Sequence, residues 1–377
     1  EHLRMDTLYF FILVLTVLML AYKRVPLLWA MTIMVAATVV WTELRHLFYV
    51  PSWFRFGNGI VAVILIGFSV TPLRRLLISD RLYGVFRKAL PRVSDTEQEA
   101  LDAGTVWWDG ELFSGRPRWK DLLKLPAPSL SEKEQAFIDG PIEELCRRAN
   151  DWEIAETHRR LPDELWDFIR EQRMFGMIIP EEYGGLGFSA QANSAAVMKL
   201  ASRNLTAAIT VMVPNSLGPG ELLLHYGTSE QKAYYLPRLA SGEEVPCFAL
   251  TSTSAGSDAA GSMSDTGIVC RQKVDGEEVL GLRLNWSKRY ITLAPVATLL
   301  GLAFKARDPD GLLGDTVELG ITCALGPADT PGVETGKRHL PTGAVFMNGP
   351  TEGKDVFIPM DQVIGGQERI GQGWRML

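Results

Sequence analysis

A chain of 377 residues with 47% apolar and 22% charged residues has room for two or three domains and ample material for a core. A formal net charge of −6 argues against nucleic acid as a partner, because strong binders need a basic field, but leaves a local nucleotide site open. The four cysteines (Cys146, Cys247, Cys270, Cys323) form no C-x-x-C pair and the five histidines are scattered, so neither a metal site nor a Ser-His-Asp triad is visible. The cysteines read as free thiols of a reducing compartment.

Three apolar stretches come first. Thr7–Tyr22 and Val25–Trp41 carry no charge and run 16 and 17 residues, close to the lower limit for a bilayer span. Gly59–Val70 is shorter and its crossing is doubtful. No small-residue cleavage site follows the first stretch; Lys23 and Arg24 do, so a retained anchor is expected rather than a signal peptide. The basic pairs Lys23–Arg24 and Arg74–Arg75 put both flanks on the cytoplasmic side. Two or three crossings fit, with 1–75 as the anchor and 43–58 outside. Trp41, Tyr49, Trp53 and Phe54 are candidates for an interfacial aromatic belt.

Residues 76–130 read as an irregular connector in which Trp107 and Trp108 pack on something. Ser131-x-x-Glu134 is a capping box and opens a helix towards Asp151. Pro162-Asp163 opens another, ending near Gly176. The EEYGGLGFSA segment (181–190) lacks a complete G-x-G-x-x-G and a strand-to-helix frame, so it reads as a structural turn. Helices follow over Ala190–Arg203, Thr206–Met212, Gly220–Tyr226 and Ser229–Leu239, the last capped by Thr228. The span 131–244 is therefore all-helical.

From Val245 the texture changes to short apolar runs separated by Gly, Pro and Asp: CFALT, GIVCRQKV, EVLGLRLNWSKRYITL, TLLGLAFKA, LGITCALGP, GAVFMNGP and KDVFIPM. This spacing predicts a compact antiparallel β domain over 245–365. In CFALTSTSAGSDAAG (247–261) a strand ends in a loop rich in hydroxyls and glycine. Such a loop can cradle a polar ligand, although most Ser/Gly loops merely turn the chain. NWSKRYITLA (285–294) mixes aromatics, a basic pair and a hydroxyl on a strand. It suits a flat ring, or a plain half-exposed strand.

Taken in order, these segments resemble the acyl-CoA dehydrogenase family. The resemblance rests on Tyr183-Gly-Gly-Leu-Gly, on Gly227-Thr-Ser-Glu-Gln-Lys with Tyr235-Leu-Pro-Arg-Leu-Ala-Ser-Gly-Glu, on Ala249-Leu-Thr-Ser-Thr-Ser-Ala-Gly-Ser-Asp, on Lys288-Arg-Tyr-Ile-Thr, and on Val356-Phe-Ile-Pro with the glycines at 365, 366, 371 and 373. With the apolar N-terminus, the chain is similar to the long, inner-membrane-associated members of bacterial fatty-acid β-oxidation. The implied fold is α+β and multidomain: transmembrane helices, an all-helical domain and a β-barrel-like domain, with 366–377 beginning a C-terminal helical domain that is missing.

The resemblance further implies FAD and the α,β-dehydrogenation of medium- or long-chain acyl-CoA to trans-2-enoyl-CoA. Thr251 matches a threonine that bonds the flavin ring, flanked by the backbone of Phe248 and Leu250. Ser257 matches a serine near the cofactor and the thioester. Tyr290 stands in place of a tryptophan beside the ring, and Thr292 matches the hydroxyl at the ring's N5 edge. Ser252 replaces the usual Glu, Thr253 and Ser254 replace Pro and Gly, and Leu293 replaces a frequent Asn. The family's catalytic glutamate is expected beyond Leu377, so no base is assigned here, and the fragment is expected to be inactive alone. Electron-transfer flavoprotein is the implied acceptor, the bacterial inner membrane with a cytoplasmic catalytic part the implied location, and a homo-oligomer through the last domain the implied assembly. An acyl-CoA oxidase and a non-catalytic membrane-tethered scaffold of the same fold are the alternatives.

Overall fold

The computed structural model describes residues 2–377 apart from 44–50, 91–92, 94–97, 99–100, 103, 105, 217 and 257. The chain forms two compact units, Glu1–Val93 and Ser94–Leu377.

The first unit holds α1 (His2–Tyr22), α2 (Leu27–Glu43) and α3 (Ser52–Ser69), followed by a helical stretch over 71–79 and the helix Asp80–Ala89. The helices α2 and α3 pack together. Ala30 and Met34 of the first and Phe54, Asn58 and Ala62 of the second are buried, whereas Leu15, Phe56 and Val63 stand out. Among the described residues, α3 is the one helix long and apolar enough to cross a membrane; the apolar parts of α1 and α2 are shorter, Phe10–Tyr22 and Leu27–Ala37. The third stretch is longer than expected: α3 starts at Ser52, so residues 52–58, expected to lie outside, extend the apolar helix at its N-terminal end. Phe54 is buried, which removes it from an interfacial belt, while Trp53 is 40% exposed. Tyr49 lies outside the described residues.

In the second unit the connector holds a small aromatic knot in which Trp108 stacks on Trp119 at 5.0 Å, while Trp107 is exposed. The capping box forms as expected. Glu134 N–H donates to Ser131 Oγ, and Ser131 N–H donates to Glu134 Oε2 at 2.8 Å. The second carboxylate oxygen does something the local pattern could not reveal: it accepts from the backbone N–H of Ser189 at 2.7 Å, itself the cap of helix Ala190–Arg203. These backbone donors hold the buried Glu134 carboxyl down to about 2. The expected long helix is broken into Glu132–Phe137 and Glu143–Arg148 by a widened turn, Ile138–Ile142, containing Pro141, which has no N–H to offer.

One stability prediction follows from Glu134. A carboxyl whose folded value lies below its unfolded value of ordinary size contributes stability above that unfolded value and loses it as pH falls. Unfolding midpoints of the unaltered chain should therefore drop between about pH 4.5 and pH 2. Glu134→Gln turns an NH₂ towards one of the two donors, should cost about 2 kcal/mol at neutral pH, and should flatten that acid limb. An unchanged acid limb in the variant would contradict this role.

Helix Ser229–Ser241 opens with a second capping box, Thr228 and Gln231. Gln231 also binds the far end of the β domain: its amide donates to the carbonyls of Asp361 and Val363 at 2.7 Å, and its oxygen accepts from Gly365 N–H. The Thr-Ser-Glu-Gln motif is thus a joint between the helices and the exit of the sheet.

The β region is one curled, seven-stranded sheet: β1 (Pro246–Ala249), β2 (Thr266–Val274), β3 (Glu277–Thr292), β4 (Leu299–Arg307), β5 (Glu318–Pro327), β6 (Val333–Thr335) and β7 (Asn348–Pro359). Its path is β1-β4-β2-β3-β7-β6, with β5 on the other edge of β4. It is not the purely antiparallel sheet that the sequence predicts: β1 and β2 both run parallel to β4, on successive halves of one edge. The runs GAVFMNGP and KDVFIPM do not give two strands; β7 covers Asn348–Pro359 continuously. Gly353 permits this by lying opposite Trp286, where a Cβ would sit 2.1 Å from the indole. One core cluster joins the helices to the sheet through Ile142, Leu165, Phe175, Leu282 and Phe304; a second packs Leu223, Leu236 and Leu239 with Ile321, Cys323 and Leu325.

Candidate flavin site

The two motif segments meet. The loop leaving β1 runs antiparallel to the end of β3: Arg289 N–H donates to Thr251 O at 3.1 Å, Thr251 Oγ1 donates to Arg289 O at 2.9 Å, and Ser252 bridges to Lys288. At that point β3 breaks register between Lys288 and Ile291. Tyr290 takes a left-handed backbone (φ 59°) and its side chain is 56% exposed. Such strain in a non-glycine residue persists only where surroundings impose it, and it clusters at functional sites. Leu293 is also left-handed (φ 67°). Asn tolerates that conformation better than Leu, and complete burial together with the N–H bond to Met347 O holds Leu293 there.

Hydroxyl polarity at the site follows from the bonds already made. Thr251 spends its proton on Arg289 O, so it offers lone pairs. Thr292 Oγ1 accepts from Asn348 Nδ2 at 3.3 Å, which leaves its own proton to donate. Asn348 Nδ2 also faces Tyr290 O, an acceptor, so Asn348 Oδ1 is the atom that meets His339 Nδ1 at 3.3 Å, and that nitrogen carries the hydrogen. The His339 ring lies 4.8 Å from that of Tyr290. One acceptor and one donor beside an exposed aromatic fit the edge and face of a flat ring bearing both N–H and bare nitrogen, the chemistry of a flavin.

The loop is fixed from below by a buried ion pair that the sequence patterns did not single out. Lys288 is 0% exposed and Asp265 2%; Nζ and Oδ2 are 2.5 Å apart. Lys288 Nζ also donates to Leu250 O at 2.8 Å, Ser252 Oγ donates to Asp265 Oδ2 at 2.7 Å, and Ser287 N–H donates to Asp265 Oδ1 at 2.9 Å. Burial pulls the Lys288 ammonium below its ordinary value, and Asp265 opposes this. A signal was available: Leu282, Leu284, Trp286 and Lys288 share the inward face of β3 at period two.

Phe248 lies on β1 opposite Gly301, where a Cβ would come within 2.5 Å of its ring. Leu250 is placed through its carbonyl. Ser257, expected near cofactor and substrate, lies outside the described residues. Asp258 caps the following turn by accepting from Gly261 N–H and Ser262 Oγ. All four cysteines are free, and burial pushes the Cys247 and Cys323 thiols up to about 12, so neither serves as a nucleophile. No cluster of metal-ligating side chains occurs among the described residues.

A helical domain is joined to a curled sheet, and two hydroxyl-bearing segments converge at a strained strand end. Residues 134–243 match the family description "Acyl-CoA dehydrogenase, N-terminal domain". A probable acyl-CoA dehydrogenase, FadE10, of Mycobacterium tuberculosis is 30% identical over 287 residues, which is 74% of this chain and 41% of that protein. Protein HemX of Proteus mirabilis is 63% identical over 75 residues, 20% of this chain and 44% of that one. Among solved structures, butyryl-CoA dehydrogenase of Megasphaera elsdenii superposes with a TM-score of 0.56 at 24% identity, over 67% of this chain and 62% of that one. The chain belongs to the acyl-CoA dehydrogenase family, and it spans less than half the length of these curated relatives.

Proposed function

We propose that this chain supplies the anchor and the flavin-binding site of an enzyme that removes hydrogen from the α and β carbons of medium- or long-chain acyl-CoA, giving trans-2-enoyl-CoA for fatty-acid β-oxidation. The observation that carries the reading is the convergence of Thr251, Tyr290 and Thr292 through the Thr251–Arg289 and Asn348–Thr292 bonds. When bound, FAD supplies the hydride acceptor for the β hydrogen. Thr292 would donate its free proton to the ring edge, Thr251 would accept, and Tyr290 would cover a face. Phe248 and Leu250 would meet the cofactor through their backbone, and Ser257 would line the path of the thioester. No side chain of this chain is assigned as the base for the α proton. Electron-transfer flavoprotein is the proposed oxidant of the reduced enzyme, and α1 to α3 the proposed anchor in the bacterial inner membrane, with the second unit in the cytoplasm.

Product analysis of the full-length protein tests this reading. Palmitoyl-CoA with an artificial acceptor should give trans-2-enoyl-CoA in equal yield with and without oxygen. A turnover that requires oxygen and releases peroxide would make the enzyme an oxidase instead; no enoyl product under either condition would favour a non-catalytic scaffold.

A further inference from the structure

The helix Asp80–Ala89 buries nothing: each of its ten residues is exposed. Its residues are nevertheless sorted by face. At 100° per residue Leu82, Val85, Phe86 and Ala89 share one arc, extended by Tyr83 towards one edge, while Asp80, Arg81, Gly84, Arg87 and Lys88 share the opposite arc. Leu82 is 53% exposed, Val85 66% and Phe86 64%. The helix runs on without a break from the helical stretch over 71–79, and no described residue covers its apolar arc. Something else covers that face.

Charge identifies what does. Residues 71–93 contain six basic side chains (Arg74, Arg75, Arg81, Arg87, Lys88, Arg92) and one acid, Asp80, a local charge of +5 in a chain whose total is −6. A second copy of this helix would bring two such charges together. A bilayer carrying anionic lipid accepts both halves of the pattern, the apolar arc among acyl chains and the basic arc among headgroups. The helix follows α3 after ten residues, so the apolar helix that delivers the chain to a membrane leaves it at that surface. Asp80, Arg81, Arg87 and Lys88, four charges within ten residues, keep the helix from spanning.

We propose that Asp80–Ala89 lies flat on the surface of an anionic bilayer, with Leu82, Val85 and Phe86 inserted and Arg81, Arg87 and Lys88 at the headgroups. The inference rests on the anchor reading of α1 to α3 and adds to it a second, lipid-selective attachment.

The test uses the full-length protein in a Cys270→Ser background, since the other three thiols are buried. Single cysteines replace Phe86, Lys88 and Ile64, the last an exposed position of α3, and carry a nitroxide. The protein is reconstituted into vesicles of phosphatidylcholine with or without phosphatidylglycerol. Accessibility to oxygen and to a water-soluble nickel chelate is then read. Position 86 should favour oxygen and position 88 nickel. Exposure of position 86 to nickel should rise at least fivefold when phosphatidylglycerol is omitted or when Arg81, Arg87 and Lys88 are all changed to Glu. Equal nickel access at 86 and 88 in anionic vesicles would overturn the proposal, as would shielding of 86 from both reagents, which would mean a protein partner. Position 64 separates the two readings. If it stays shielded from nickel while 86 does not, the surface helix fails and the anchor stands; if nickel reaches 64, the anchor reading fails with it.

Discussion

Asp265→Ala should be among the most damaging single changes in the β domain, costing about 3 to 5 kcal/mol, because it leaves the Lys288 ammonium buried and uncompensated. The pair is separated by 2.5 Å and is shielded from water on both sides, so solvent screening offers no relief. Three further bonds depend on Asp265: those from Ser252 Oγ, from Ser287 N–H and, through Lys288, to Leu250 O. The damage should therefore spread into the flavin loop, and bound flavin should be lost at denaturant concentrations where the helical domain is still folded. Exposed Asp310→Ala is the control and should shift the urea midpoint little. The more discriminating variant relocates the carboxylate. Ser252 Oγ lies 3.5 Å from Lys288 Nζ, at the position where the family usually has Glu. Ser252→Glu combined with Asp265→Ser should recover at least half the stability lost in Asp265→Ala, since the ammonium regains a partner. If Asp265→Ala behaves like Asp310→Ala, the pair does not hold the loop. If the relocated carboxylate rescues nothing, Asp265 acts through Ser287 and the strand rather than through Lys288.

Thr292→Val has the largest expected effect on rate. The shape is nearly kept and the hydroxyl removed, at the edge proposed to receive the hydride, where negative charge would develop. A lost donor of this kind costs on the order of 2 to 4 kcal/mol where it acts alone. The lower part of that range is expected here. Flavin reduction in the full-length protein should slow at least about tenfold, equivalent to about 1.4 kcal/mol, with little change in substrate binding. Asn348→Leu should reproduce part of the defect although it leaves the hydroxyl in place, because Thr292 would then be free to turn its proton elsewhere. Normal reduction by Thr292→Val at full flavin content would detach β3 from the flavin site and leave NWSKRYITLA as a plain strand.

What the sequence disclosed about this site was the local part. The Ser131–Glu134 capping box and the Thr228 cap are readable because their partners lie three residues apart, and the two motif segments are readable because each is contiguous. Long-range partners were hidden. The second oxygen of Glu134 reaches Ser189, and Gln231 reaches residues 361 to 365. Such bonds join segments whose relative position depends on the whole fold. The parallel pairings of β1 and β2 with β4 were invisible for the same reason, since apolar runs show strand existence but not direction or register. The continuity of β7 depends on Gly353 meeting Trp286 across the sheet. Lys288 lay within reach: a charged residue in the inward phase of an alternating strand demands a buried counter-ion, and Asp265, just before β2, supplies it.

Anaerobic titration of the purified full-length protein with palmitoyl-CoA, followed by the visible flavin band, bears most directly on the assignment of this β domain to a flavin. The protein should carry about one FAD per chain, and substrate should bleach the band, slowly in Thr292→Val. A protein that purifies without flavin, takes up none when FAD is added, and binds palmitoyl-CoA regardless would contradict the assignment.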